Sequence, residues 1–489
     1  MLPPGSLLDR SVVSHHRPRR GSHREQSRLQ VLTAIALLFV CPIAVATSEA
    51  GAREVAEGLR DQALRDSRAW AILESLVSEI GARPTGSPAM TRARDWALRQ
   101  LTELGLQNVH AEPFTKRNAW LRGAESACMA APYVRTLSIV GLGNSVPTPS
   151  AGIEGDVVLF STLEQLTRMP PESLRGKIVV VNQPMVRTQN EEGYRSAVRV
   201  RVEGPSLAAA RGAVAFLTRS ISTSDSQLPH TGLTRYADGI ARIPAAAIAV
   251  PDAQLLARLI ARGTPVRVRL LLSSTVLAEA PAWNVVGEVS GRETPDQVIL
   301  IGGHLDSWDL SEAASDDGAG VAITTAAAAL VAALPRHPRR TIRVVLWGSE
   351  ETEGSGRAYA DAHRTELRSL VVAAESDFGA GRAYRLALPE ASASDENVHD
   401  IEAVLGPLRV FVSAQAARSG GSDVEDLRKA GVPIASLNQD QSRYFDVHHS
   451  ADDTLERIDA ADLNQNVAAW AALIYILAET GLDFRGVGH

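Results

Sequence analysis

From Arg53 to Ile80 apolar side chains recur three and four residues apart, at Val55, Leu59 and Ala63 and again at Ile72, Leu73, Leu76, Val77 and Ile80. That spacing lines one face of a helix, and Gly81 is a residue that stops one, so one or two helices are expected here. Ser87-Pro88 then reads as an N-cap followed by a first-turn proline, with a helix running through Trp96, Leu101 and Leu104 to Gly105. A strand is expected over 107–114.

Between 152 and 276 the pattern changes to short Val/Ile runs at 156–160, 177–181, 213–217, 245–250 and 266–272, broken by helices expected over 205–211 and 251–262. This is the texture of a small inserted body. After Trp283 strands and helices alternate: strands at 284–289, 298–302, 341–347, 370–375 and 433–437, helices at 319–334, 356–368 and 460–479. Such alternation predicts an α/β fold whose sheet is mainly parallel or mixed and covered by helices on both faces.

The chain therefore divides into a leader (1–46), a first catalytic part (47–151), an insertion (152–276) and a second catalytic part (277–489). In the leader, Arg17, Arg19, Arg20, Arg24 and Arg28 precede an apolar run from Val31 to Val40 and then Ala44-Val45-Ala46. That order is the pattern of a secretory signal peptide, and the run is shorter than the roughly 20 residues of a membrane helix. An exported protein, periplasmic or extracellular, with no stable membrane insertion is the expectation. Cleavage would remove six Arg and two acidic residues, taking the net charge from −6 to −10. An acidic surface of that size argues against nucleic acid as a partner. Cleavage would also remove Cys41 and leave Cys128 alone, so no disulfide staples the mature fold.

The residues that carry chemistry arrive at the ends of expected strands. They are Gly303-His304-Leu-Asp306, Asp316-Asp317-Gly-Ala-Gly, Glu350-Glu351, Asp377 and His448-His449-Ser450. Loops at the carboxyl ends of strands in an open α/β sheet turn their side chains towards one point. Imidazole nitrogen and carboxylate oxygen both bind zinc at roughly 2.0–2.2 Å. Two histidines with three carboxylates suit two ions sharing one carboxylate, about 3.5–4 Å apart. A spare carboxylate is then needed to take a proton from the attacking water, and one of the neighbours Glu350 and Glu351 can supply it while the other ligates. Asp306, two residues after His304, is placed to hydrogen-bond the ring nitrogen that faces away from metal. His448 and His449 compete for the last ligand position.

Together these motifs resemble those of the co-catalytic zinc exopeptidases of the aminopeptidase and glutamate carboxypeptidase type. The resemblance implies His304 and Asp377 on one zinc, Glu351 and His449 on the other, Asp316 bridging and Glu350 as general base. The register of His449-Ser-x-x-Asp453-Thr454 is what selects His449 over His448. Trp120-x-Arg122-Gly123-x-Glu125, Pro229-His230-Thr231-Gly232 and Tyr444-Phe445-x-x-His448-His449 are similar to motifs of one carboxypeptidase branch. That branch implies a protease-associated lid in the insertion, hydrolysis of dipeptides and short peptides with free termini, and a homodimer. Ser419, Gly420 and Asp423 resemble a substrate-side loop, and His230 is a further candidate for touching substrate from the lid. An aminopeptidase acting on longer peptides and a catalytically silent binding module are the rival readings.

Overall fold

The computed structural model describes residues 51–390 and 396–485. The expected leader, 1–46, lies outside them. The first helical pattern resolves into two helices, Ala52–Arg65 and Ala69–Glu79, and the next is Pro88–Glu103, where Ser87 Oγ accepts from Met90 N at 3.2 Å as an N-cap does.

A five-stranded sheet runs in the order Gln107–Leu121, Thr275–Val289, Arg340–Trp347, Thr294–His304, Leu370–Glu375. Its first two pairings are antiparallel and its last two parallel, so the sheet is mixed. Both faces are covered. Ile299 and Ile301 join a core with the helices Ala52–Arg65, Ala69–Glu79, Ala319–Ala332 and Ala460–Glu479, while Val298 and Leu300 join one with Tyr359 and Leu427 on the other side. Alternate side chains of a strand point to opposite faces, which is why a strand buried on both sides reads as one unbroken apolar run. The Ala319–Ala332 helix is buried from Ala319 to Val331, and its alanines let it fit between the sheet and the neighbouring helices.

A second, eight-stranded sheet draws its strands from Glu125 to Leu272 and thus starts well before residue 152. One face carries Val179, Val181, Phe216 and Ala247, the other Ile178, Val180, Leu217 and Ile248. Tyr444 and Phe445, far along the chain, pack into the first of these cores.

Three elements differ from expectation. The helix expected over 205–211 is Glu192–Ala209, with Pro205 inside it. Proline usually opens a helix because its ring displaces the carbonyl one turn back. The helix continues through it here, and nearby the Val202 carbonyl accepts from Arg235 N at 3.0 Å and Thr234 Oγ1 at 3.2 Å. The helix expected over 356–368 ends at Ala362, followed by a short turn at Leu367–Ser369. The strand expected over 433–437 is Ser436–Gln439 and belongs to a separate three-stranded sheet.

Candidate metal centre

The register of the five-stranded sheet sets Gly302 opposite both Val345 and Glu375, and His304 opposite Trp347. Three neighbouring strands therefore end in one row. Their following residues, Asp306, Glu350, Glu351 and Asp377, fall around a single point that the Ala314–Gly318 turn approaches with Asp316. The close fit needs glycine: a Cβ on Gly320 would stand 1.8 Å from Ser376 O and 2.4 Å from both carboxylate oxygens of Asp317.

Asp316 is the centre of the arrangement. Its Oδ1 lies 3.2 Å from His304 Nε2, and its Oδ2 lies 3.1 Å from His449 Nε2. Asp377 Oδ1 is 3.4 Å from His304 Nε2, and Glu351 Oε2 is 3.0 Å from His449 Nε2. All five expected ligand residues thus meet, in two sets that share Asp316. His448 arrives as well: its Nε2 is 3.6 Å from Asp316 Oδ2 and its ring is stacked on His449 with centroids 3.5 Å apart. The nearer approach and the added Glu351 partner distinguish His449.

The donor set fits a cation. Glu351 Oε1 is buried without a hydrogen-bond partner. A buried carboxylate oxygen left unpaired costs free energy that a bound metal ion recovers. Burial, reinforced by Asp377 and Glu351, lifts Glu350 well above the ordinary carboxylate range. Burial would depress the two imidazoles, but the carboxylates around them prevail and both His304 and His449 are raised well above the ordinary value. Among the described residues the clusters able to hold a metal are His304 with Asp316 and Asp377, and Asp316 with His448 and His449.

Asp306 orients His304 differently from expectation. His304 Nδ1 meets the main-chain carbonyl of Asp306 at 2.9 Å, while the carboxylate stands 3.7 Å away. That carboxylate instead accepts from Glu350 N at 2.9 Å and from Thr85 Oγ1 at 2.8 Å, tying the ligand loop to the Glu350 loop. A two-residue turn brings the carbonyl under the ring more directly than a side chain that must double back.

A cleft of about 920 Å³ opens over the cluster. Glu350, Asp377, Phe378 and Ser419 line one side, and Tyr194, Arg201, Leu233 and Arg235 from the region of the eight-stranded sheet line the other. Of the residues expected at substrate, Ser419 borders this cleft. Gly420 is buried, with its carbonyl accepting from Glu375 N at 2.7 Å. Asp423 borders the cleft, but its Oδ1 is turned to Ser355 Oγ at 2.5 Å and Gly356 N at 2.8 Å. His230 is 1 % exposed, does not line the cleft, and both its ring nitrogens lack a hydrogen-bond partner.

Three supporting residues had no role assigned from sequence. Asp453 accepts from Ser315 N at 2.7 Å and Asp316 N at 3.0 Å, so it shapes the turn that presents the shared carboxylate. Asp317 accepts from His304 N and Gly320 N, both at 2.9 Å, and locks the strand end to the helix start. Arg83, fully buried, donates to the carbonyls of Leu305 at 2.5 Å and Glu312 at 2.9 Å and so spaces the His304 loop from the Asp316 turn. The first two stood within recognised motifs; nothing local to Arg83 marks it.

Residues 284–474 match the model of peptidase family M28. The chain is 36 % identical to carboxypeptidase Q of Bos taurus over 415 residues, covering 84 % of this chain and 86 % of that one, and 35 % identical to carboxypeptidase Q of Homo sapiens over 414 residues with the same coverage. Among solved structures, a peptidase M28 precursor from Shewanella amazonensis SB2B superposes with a TM-score of 0.87 at 40 % identity, covering 90 % of this chain and 99 % of that one. A zinc aminopeptidase from Bacillus subtilis shares the fold with a TM-score of 0.62 at 18 % identity, covering 86 % of this chain and 96 % of that one. With the carboxylate-shared cluster and these likenesses together, the chain belongs to peptidase family M28, as a metallo-exopeptidase related to carboxypeptidase Q.

Proposed function

We propose that the protein is an exported dipeptidase of the carboxypeptidase Q kind, holding two zinc ions per chain and cleaving dipeptides and short peptides with free termini. The observation that carries this reading is Asp316, whose two oxygens are divided between His304 and His449 at 3.2 and 3.1 Å. A carboxylate so divided suits a shared ligand. His304 and Asp377 would hold one ion, Glu351 and His449 the other. Bound there, the zinc pair would supply Lewis acidity for the scissile carbonyl and the attacking water.

Glu350 lines the cleft beside these residues without being needed as a ligand. That position suits a group that takes a proton from water and returns it to the leaving amine. Peptide size is set by the opposite wall, where Tyr194, Arg201 and Leu233 close over the cluster in the manner of a lid. A pocket of this volume is within the range of about 300–1,000 Å³ that encloses small ligands. The homodimer implied by the family likeness is part of the proposal. No helix among the described residues is long and apolar enough to cross a membrane.

The test combines zinc content per chain with hydrolysis of a dipeptide panel in free, N-blocked and C-amidated forms. Two zinc per chain with cleavage lost on blocking either end is the expected result. Two zinc with tolerance of C-amides but not of N-blocking would make it an aminopeptidase instead, and a chain binding no zinc would overturn the metal assignment.

A further inference from the structure

We infer that the body built on the eight-stranded sheet is part of the metal centre itself: its residues Arg201 and Thr231 position His449 for the second ion. The inference rests on the two-metal reading of the site. His449 follows a segment that is fastened to this body along its length. Tyr444 and Phe445 are buried in the body's core. Thr223 N and Ser222 Oγ both donate to Phe445 O at 3.1 Å, and Gln441 N donates to Gln189 O at 3.0 Å. Arg187 grips Asp446 through two nitrogens, at 2.6 and 2.9 Å.

The fastening ends at the imidazole. Thr231 N donates to His449 O at 2.9 Å, and the Thr231 carbonyl faces His449 Nδ1 at 3.3 Å. An imidazole that ligates through Nε2 carries its proton on Nδ1 and needs an acceptor there, which fixes both tautomer and ring angle. Arg201 sets where that acceptor stands: one terminal nitrogen is 3.1 Å from Thr231 O and 3.4 Å from His449 Nδ1, and the other donates to Tyr194 OH at 2.8 Å. Thr231 is anchored in turn, its Oγ1 donating to Gly141 O at 2.7 Å. The Pro229-His230-Thr231-Gly232 motif gains a reason. Gly232 has φ +135°, and a Cβ there would lie 2.2 Å from the Arg201 guanidinium.

Arg201 is 5 % exposed and pairs with no carboxylate among the described residues. Two effects of this cation on the second ion oppose one another. Its charge, one imidazole away, repels a metal, whereas its hydrogen bonds hold the ligand in place. The sign of the change on removing it therefore decides between them.

Stepwise binding of zinc, and of cobalt(II) for its visible spectrum, would be measured on the full chain against a competing chelator. Wild type is compared with Arg201→Gln, Arg201→Lys and Thr231→Val. Wild type should take two ions; if it takes fewer, the two-metal reading fails whatever the variants do. Arg201→Gln should bind the first ion with wild-type affinity and cobalt spectrum and the second about 10–100-fold more weakly, the usual effect of losing a partner behind a ligand. Arg201→Lys should fall between. Thr231→Val keeps the main-chain carbonyl and loses the Oγ1 bond to Gly141 O, so it should weaken the second ion less than Arg201→Gln does, and Arg201→Lys decides the matter should Arg201→Gln not fold. A second ion held equally or more tightly, or both ions loosened alike, would overturn the inference.

Discussion

His304 and His449 face one carboxylate from opposite sides at nearly the same distance, yet they are held by different means. His304 ends a strand buried on both faces and is oriented by the carbonyl of Asp306, two residues further on. His449 sits in a loop with φ +60° and is oriented by Thr231, 218 residues away, in a body with its own sheet and core. The first half of the centre is thus organised by local chain geometry. The second draws on a contact between distant parts of the chain, from Thr231 to His449.

The prediction with the largest effect asks whether proton transfer belongs to either half. Glu350→Gln should lower kcat by about 10²–10⁴-fold, the usual contribution of a general base, while both zinc ions stay bound. Activity close to wild type would remove Glu350 from that role.

Removing the support behind the shared carboxylate should cost stability as well as metal. In Asp453→Ala the buried amides of Ser315 and Asp316 lose their acceptor, at about 1–3 kcal/mol for each group left unpaired. Denaturant unfolding measures it, and a loss under 1 kcal/mol would show that the turn holds its shape unaided.

The remote half should instead carry a pH signature. Burial holds His230 at a pKa of about 4, below its ordinary 6.5. The unfolded chain then binds a proton between those values that the folded chain does not, so folding stability falls as pH drops from 6.5 to 4. The loss attributable to this group is about 3 kcal/mol. His230→Gln should flatten that part of the stability profile, and an unchanged pH slope would refute the assignment. The smallest effect is expected away from both halves: Ser87→Ala removes one helix cap and should cost about 1 kcal/mol in thermal unfolding, with no change in bound zinc.

The same division governs what could be read from the residues alone. That His304, Asp316, Glu351, Asp377 and His449 belong together was legible because each follows a periodic element or sits in a spaced motif. The 460–479 helix and its start after Asp459 were likewise legible. Arg83 and Arg201 were not. Each is a single arginine that reaches main-chain carbonyls on remote segments, Leu305 and Glu312 for Arg83 and Thr231 for Arg201, and such partners impose no period on the local chain. His230 and Gly420, expected at substrate, do not line the cleft, for a related reason: a motif records that a residue matters without recording which way it faces.

By itself the sequence determined the alternation of strands and helices, the buried faces, the acidic balance and the metal-type side chains at strand ends. These follow from short-range periodicity and from residue chemistry. The tertiary structure alone decided that the sheet is mixed, that the helix from Glu192 runs through Pro205, and that Asp306 orients His304 by its carbonyl. It also decided that a second body supplies the support for His449. Those outcomes depend on which distant groups satisfy a given carbonyl or ring nitrogen, and that is settled only when the chain has packed.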